Sequence, residues 1–149
     1  MEIRAMREAD RDAVYTLLLS SLDEYFVPEI PVYFLAQWPC GQLVAADSVG
    51  NIVGYLAGAR LSNGRVSVSL FCVAAPWRGR GVGSRLLIAF RQRAVMDGYR
   101  TIQLEVRTTN FAALEFYRRR GFLPTEKLVG FYNNGGDAIR MIGSAVLNS

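Results

Sequence analysis

The sequence predicts an α/β fold with a mixed, mostly antiparallel sheet flanked by helices, in the order β-α-α-β-β-β-α-β-α-β-β. Three observations predict this fold. Strand patterns closed by turn residues indicate a hairpin meander. One long helical repeat then lies between two strands, and such a crossover makes those strands parallel. The 149 residues, 51% hydrophobic and 20% charged, suit one globular domain spanning positions 1–149.

The N-terminal half contains a strand, two helices and the meander. Ala13 and Leu17 recur at helical spacing, and the proline- and aromatic-rich stretch that follows indicates a loop with a short helix. Asn63-Gly64 favours a tight hairpin turn because these residues tolerate positive φ. The predicted elements are a strand at Glu2–Met6, helices at Asp10–Leu22 and Val32–Gln37, and strands at Gln42–Ala46, Ile52–Arg60 and Arg65–Val73.

The C-terminal half contains the crossover helix and a second helix between strands. Val82, Leu86 and Phe90 recur at helical spacing, and Gly98 stands where a left-handed C-terminal cap belongs. Asn110 is suited to cap the last helix. The predicted elements are helices at Val82–Asp97 and Phe111–Arg120 and strands at Thr101–Arg107, Leu123–Phe131 and Ala138–Ala145.

Composition excludes several kinds of site and partner. The sequence has no histidine and two cysteines, Cys40 and Cys72, so we expect no metal site and no Ser-His or Cys-His relay. The net charge of +4 rests almost wholly on arginine, a modest excess that does not favour nucleic acid as a partner. No apolar run approaches the roughly 20 residues of a membrane span. The charged N-terminus and few cysteines favour a cytoplasmic protein.

A glycine-rich segment leads from a predicted strand into the crossover helix. Arg78 and Arg80 alternate there with Gly79, Gly81 and Gly83. A Walker A loop needs Gly-Lys-Ser/Thr, and a Rossmann fingerprint needs a third glycine at a spacing that this segment lacks. Free N–H groups at a helix N-terminus bind phosphate oxygens, and missing Cβ atoms let the ligand approach closely. The segment therefore predicts a pyrophosphate site.

Arg78-x-x-Gly81-x-Gly83 resembles the Q/R-x-x-G-x-G/A signature of the GNAT superfamily of N-acetyltransferases. Residues 70–73 resemble the strand that this family splays open for the pantetheine arm, and residues 104–107 and 116–122 resemble its next βα unit. The resemblance implies acetyl-CoA as cofactor. The residues it assigns to cofactor binding are Phe71, Cys72, Val73, Arg78, Gly79, Arg80, Gly81, Val82, Gly83, Ser84, Asn110 and Tyr117.

The stretches LEVRTTNFAALEFYRRRGF and FYNNGGDAIRM resemble the protein N-terminal acetyltransferase branch, including its RimI-type enzymes. That branch commonly reads YY-x-x-GEDA near its end, where this chain has Phe131 for the first tyrosine and Gly136 for the acid. The resemblance implies direct acetyl transfer, in a ternary complex, to the N-terminal α-amine of a protein or peptide, by a monomer or homodimer. A small-molecule amine as acceptor, a non-catalytic acyl-CoA-binding module and an aminoacyl-tRNA acceptor are the alternatives.

The resemblance also implies catalytic residues. Glu105, on the strand face opposite the apolar residues, is expected to act as the base, often through water; alternatively it is a surface glutamate paired with Arg107 or another arginine. Tyr117 is expected to protonate the coenzyme A sulfur, and it also lies on an apolar helical stripe that suits core packing. Asn110 is either only a cap or a cap that also touches the cofactor.

The carbonyl oxygen of the thioester needs a hydrogen-bond donor, which the family supplies from the backbone N–H near Val73, at a bulge where the strands part. Cys72 alternates with Val66 and Val68, so we expect it in the core rather than as an acyl carrier. Loop aromatics are the predicted acceptor wall, with core packing as the alternative. They are Tyr25, Phe26, Tyr33, Phe131 and Tyr132.

Overall fold

The computed structural model describes residues 1–22 and 24–146, and it has the predicted order of elements. The strands are β1 (Glu2–Ala5), β2 (Gln42–Ala46), β3 (Ile52–Arg60), β4 (Val66–Val73), β5 (Thr101–Arg107), β6 (Leu123–Leu128) and β7 (Ala138–Ser144). The helices are α1 (Arg11–Ser21), α2 (Ile30–Gln37), α3 (Val82–Met96) and α4 (Phe111–Arg119). In the described part of the chain, no helix combines the length and the apolar character needed to cross a membrane.

Two predicted element boundaries, the start of α2 and the end of β6, are wrong, and a local feature of the chain explains each difference. α2 begins at Ile30 rather than Val32, because Pro31 fits the first turn of a helix, where no backbone donor is needed. β6 ends at Leu128 rather than Phe131, and the Gly130 N–H donates to Asp137 Oδ1 at 2.8 Å, which holds the chain in a turn. Phe131 therefore lies in the β6–β7 loop and not in a strand.

The seven strands form one sheet in the order β1-β2-β3-β4-β5-β7-β6. Every neighbouring pair is antiparallel except β4 and β5, which the crossover through α3 makes parallel, as predicted. This parallel pairing covers two residue pairs, Val66 with Ile102 and Ser67 with Gln103. Beyond Ser67 the two strands separate, and the sheet opens between them.

A β-bulge in β4 accompanies this separation. Against β3, Ala57 pairs with Leu70 and the next residue, Gly58, pairs with Val68, so Ser69 is the extra residue. An inserted residue exchanges the faces of all the side chains that follow.

The bulge corrects the predicted alternation around Cys72. Val66 and Val68 pack in the hydrophobic core beside α3 and α4, whereas Cys72 packs in the second core with Val14 and Tyr55. Cys72 is therefore buried as predicted, but on the opposite face of the sheet from Val66 and Val68. Burial raises the pKa of its thiol to about 12, which leaves it a poor nucleophile at neutral pH.

Helix α3 packs closely on the centre of the sheet because β3 carries glycines beneath it. A Cβ on Gly58 would overlap the ring of Phe90, at 2.9 Å from its Cζ atom, and a Cβ on Gly54 would lie 2.9 Å from Leu86 Cδ1. Phe90 and Leu86 are fully buried. This contact fixes the position of α3 on β3.

We expect Gly58→Ala to lower the free energy of unfolding by about 1–3 kcal/mol, since the added methyl group forces Phe90 from its place. Denaturant unfolding followed by circular dichroism measures this. In the Gly58→Ala/Phe90→Leu variant the smaller side chain leaves room, so the combined loss is expected to fall below the sum of the single losses. An unchanged midpoint for Gly58→Ala, or strict additivity, would contradict the close contact.

Candidate active site

The separation of β4 from β5 creates a cleft of about 590 Å³. It is lined from the sheet, from α4, from the segment after α1 and from the β6–β7 loop. Seven of the predicted site residues line this cleft: Phe26, Phe71, Glu105, Asn110, Tyr117, Phe131 and Tyr132. One opening in the sheet thus brings together residues that are up to 106 positions apart, from Phe26 to Tyr132.

The glycine loop, residues 78–81, joins the region after β4 to the N-terminus of α3. Gly79 and Gly81 have φ of +75° and +83°, a left-handed conformation that side chains disfavour, and nothing lies within 4 Å of a Cβ at either position. The Arg85 N–H donates to the Gly81 carbonyl at 3.1 Å and closes the first turn. Amides ahead of that bond lie outside the helical ladder, as phosphate binding requires. The loop therefore fits a diphosphate.

The end of β4 presents its backbone toward the opening. The Ala74 N–H donates to the Val53 carbonyl in β3 at 2.8 Å, so the amide and carbonyl of Val73 face the other way. The Val73 carbonyl accepts a bond from Arg78 Nε at 3.0 Å. The expected bulge lies at Ser69 and not at Val73, so the prediction was wrong about its position, and the role of the Val73 N–H as a donor stays a prediction.

The predicted phosphate-binding arginines of the glycine loop are both exposed. Arg78 contacts the Val73 carbonyl, and the Arg80 guanidinium lies 5.2 Å from the centre of the Trp77 ring. A contact of either side chain with a phosphate stays a prediction.

Glu105 lies in the cleft on β5 with its side chain 19% exposed. Its Oε2 atom accepts hydrogen bonds from Arg140 Nε at 3.0 Å and from Gln103 Nε2 at 3.1 Å. The alternative of a glutamate paired with an arginine thus describes the geometry, with Arg140 and not Arg107 as partner. Both bonds fall on one oxygen and hold the carboxylate in one orientation.

Tyr117 packs in the core and also lines the cleft, and its role as a proton donor stays a prediction. Its ring is buried among three other aromatic rings, with centroids 6.3 Å from Phe71, 5.3 Å from Phe116 and 5.5 Å from Phe122. Burial, and secondarily the neighbouring Tyr132, raise the pKa of its phenol, so the group is protonated at neutral pH.

Asn110 caps α4 as predicted, since its Oδ1 atom accepts a hydrogen bond from the Ala113 N–H at 3.1 Å. The acceptor wall is smaller than predicted. Tyr25, 83% exposed, and Tyr33, which stacks edge-on against Phe34, do not line the cleft. Tyr33 is also exposed, at 58%.

Phe26 does reach the cleft, and its burial has a local cause. The Tyr15 hydroxyl donates to the Phe26 carbonyl at 2.8 Å, which ties the segment after α1 back to that helix. Phe26 is 8% exposed and belongs to the second core. It therefore forms a rigid part of the wall, in contrast to Phe131, which is 46% exposed on the β6–β7 loop.

Arg107 is a cleft residue whose position the sequence analysis missed. Its guanidinium donates to Glu24 Oε1 at 3.3 Å and to Asn134 Oδ1 at 3.2 Å, and it lies 3.9 Å from the centre of the Tyr132 ring. A Cβ on Gly136 would come within 2.6 Å of Arg107 Nη1. The glycine at the position of the usual acid therefore makes room for Arg107, which joins the loops on both sides of the cleft. In the sequence, the only indication of this arrangement was Gly136, which stands where the YY-x-x-GEDA pattern has an acid.

A model of the Acetyltransferase (GNAT) family matches residues 11–122. The chain belongs to this family. The match covers the sheet opening, the glycine loop and α4, and it confirms the expected fold, the expected class of enzyme and acetyl-CoA as the cofactor.

Named relatives lie in the predicted branch of the GNAT family. N-alpha-acetyltransferase 30 of Schizosaccharomyces pombe is 30% identical over 129 residues, 85% of this chain and 86% of that protein. The structure of Ard1 from Thermoplasma volcanium superposes with a TM-score of 0.92 at 31% identity and covers 99% and 98% of the two chains. A structure of the NatC complex bound to Gag peptide and CoA gives 0.85 at 25% identity, covering 97% and 99%. The resemblance to N-terminal acetyltransferases is confirmed.

We expect Arg107→Gln to loosen both loops at the cleft, because it removes an ion pair and a cation–π contact worth about 1 kcal/mol together. Amide hydrogen exchange at residues 24–28 and 131–136 should accelerate roughly 3- to 10-fold, with α3 unchanged. Arg118→Gln, which removes a surface pair with Glu115 on α4, is the matched control. Equal exchange in Arg107→Gln and the control would show that Arg107 does not hold the loops.

Proposed function

We propose that this protein transfers an acetyl group from acetyl-CoA to the N-terminal α-amine of a protein or peptide, with Glu105 as base and Tyr117 as acid. One observation carries the proposal. The opening between β4 and β5 lies between the glycine loop and a cleft that contains a held carboxylate, a protonated phenol and aromatic walls. The similarity to proteins named N-alpha-acetyltransferase supports the α-amine as acceptor.

The cofactor supplies an activated acetyl group as a thioester, and the chain supplies its binding and orientation. The amides of the glycine loop and of the first turn of α3 hold the diphosphate. The edge of β4 that β5 leaves unpaired offers backbone groups to the pantetheine arm, and the Val73 N–H stabilises the carbonyl oxygen. Asn110, which caps α4 at the cleft, is positioned to touch the same arm.

Proton transfers in the cleft complete the reaction. An α-amino group has a pKa near 8, so a minor fraction of the acceptor, roughly a tenth at pH 7, is already neutral. As the nitrogen attacks the carbonyl carbon, its extra proton passes to the Glu105 carboxylate, directly or through water. The Tyr117 phenol gives its proton to the departing thiolate. Both groups lie in one cleft. The amine attacks the thioester directly, so the reaction needs no covalent enzyme intermediate.

The wall of the cleft supports a peptide acceptor. Phe26, Leu22 and Phe131 offer apolar surface for the first side chain, and Glu24 and Tyr132 offer polar groups at the rim. The RimI-type character remains a prediction of the resemblance, and a monomeric or homodimeric state also stays a prediction. The free thiols of Cys40 and Cys72 are consistent with the cytoplasm as the setting.

Thiol release from acetyl-CoA tests this function. The purified protein is given a panel of short peptides with free N-termini, the same peptides with blocked N-termini, and a set of polyamines and aminoglycosides. We expect release with free peptides, no release with blocked ones, and a mass increase of one acetyl group on the N-terminal fragment. Release with the small amines alone would replace the proposal by small-molecule acetylation, and CoA binding without any release would indicate a non-catalytic module.

We expect Glu105→Gln to lower kcat by about 100-fold or more at neutral pH, because the amide cannot take the proton from the amine. The Kd for CoA should stay within about twofold, since Glu105 lies away from the glycine loop. Glu126→Gln is the matched control, because Glu126 pairs with the same Arg140 at 2.9 Å outside the cleft. An unchanged kcat in Glu105→Gln, or an equal loss in the control, would remove Glu105 from the mechanism.

A further inference from the structure

The three consecutive arginines at the end of α4 do not form one solvated helix end. Arg118 and Arg119 both pair with Glu115 on the surface, at 2.7 Å and 2.9 Å. Arg120 turns the other way, and its Nε and Nη2 atoms both donate to the hydroxyl oxygen of Ser84 in the first turn of α3. One arginine of the run thus lies at the helix end where the diphosphate is expected.

Aromatic packing holds Arg120 in this position. Its guanidinium carbon lies 3.7 Å from the centre of the Phe116 ring, and its Nη1 atom donates to the Phe116 carbonyl at 2.9 Å. A Cβ on Gly83 would lie 3.5 Å from the same ring and 3.6 Å from Phe71. Arg120, Phe116 and Phe71 therefore stand side by side along the N-terminal turn of α3 and the opening beside β4.

The positive charge at this corner has no acidic partner. Within the ranges 1–22 and 24–146, no carboxylate oxygen lies within 4.0 Å of Arg120 or of Arg91, which is buried and donates to the Arg120 carbonyl at 2.6 Å. Burial, and secondarily Arg119, lower the pKa of Arg120, while burial and the charge of Arg120 lower that of Arg91. Two guanidinium groups held together without a carboxylate favour an anion beside them.

The donors that remain on Arg120 suit a phosphate. A guanidinium has five N–H groups, and one each on Nε, Nη1 and Nη2 is engaged by Ser84 and Phe116. The second N–H of Nη1 and that of Nη2 remain, and each can donate a charge-assisted hydrogen bond to a phosphate oxygen. The Ser84 oxygen accepts from Arg120, which leaves its own O–H to donate to the same anion.

We propose that Arg120 is a cofactor-binding residue that contacts the diphosphate of acetyl-CoA, with Ser84 setting its orientation. This inference rests on the proposed function, because it needs acetyl-CoA at the N-terminus of α3. It adds a cation from α4 to a site whose sequence signature lies wholly in residues 78–83. α4 thereby contributes both the proton donor Tyr117 and a group that fixes the cofactor.

Isothermal titration of CoA and of dephospho-CoA, which keeps the diphosphate but lacks the 3′-phosphate, tests this inference. We expect Arg120→Gln to weaken both ligands by about tenfold, the loss typical of a hydrogen bond between charged groups. Arg119→Gln removes the same charge one position earlier and is the matched control, for which we expect a change of less than about twofold. Melting temperatures of the free variants show whether each is folded.

The following binding results would overturn the inference. Unchanged affinities in Arg120→Gln would show that Arg120 does not touch the cofactor, and a loss for CoA alone would place it at the 3′-phosphate instead. If Arg120→Gln does not fold, Ser84→Ala serves in its place, with an expected loss of about threefold for both ligands, and an unchanged affinity there has the same meaning. A wild-type protein that binds neither ligand would refute the proposed function and this inference with it.

Discussion

The central constraint on this structure is that β4 and β5 are parallel neighbours that share only two residue pairs, Val66 with Ile102 and Ser67 with Gln103. A sheet interior normally satisfies its backbone groups through adjacent strands, so an open seam needs another partner for them. The bulge at Ser69 accompanies the separation of β4 from β5. Helix α3, which connects the two strands, packs closely on the glycines of β3. Every candidate catalytic group lies along this opening.

Arginine side chains connect the elements around the seam. In a chain with one lysine and no histidine, guanidinium groups carry almost all the positive charge. Arg140 holds Glu105 from β7, Arg107 joins the loops on both sides of the cleft, and Arg120 links α4 to α3. Each makes several bonds in one plane, which an ammonium group does not match. These three arginines therefore serve the organisation of the cleft.

The sequence predicted the order of elements and the glycine loop, because periodicity and turn chemistry are local properties. It also predicted Glu105, Tyr117 and Asn110 as neighbours through the family resemblance. It did not show the bulge, because a single inserted residue leaves the apolar pattern of residues 66–72 looking like an unbroken alternation. Cys72 was consequently placed on the wrong face of the sheet.

Side-chain direction accounts for the other differences. Tyr25 has the same loop context as Phe26, and only the tertiary structure shows that one ring points to solvent while the other packs in the core. Arg118, Arg119 and Arg120 likewise form one run in the sequence, but they turn to opposite sides of the helix end. The direction of a long side chain depends on its tertiary contacts, and the spacing of residues along the chain does not encode those contacts.

The central claim is that the N-terminus of α3 holds the cofactor diphosphate at the open seam. The most direct test is an amide NMR titration of the isotopically labelled protein with CoA. The account predicts that the largest shift changes fall on the amides of Gly79 to Ser84, with further changes along β4 up to Val73. Shift changes confined to another part of the protein, or none at saturating CoA, would contradict it.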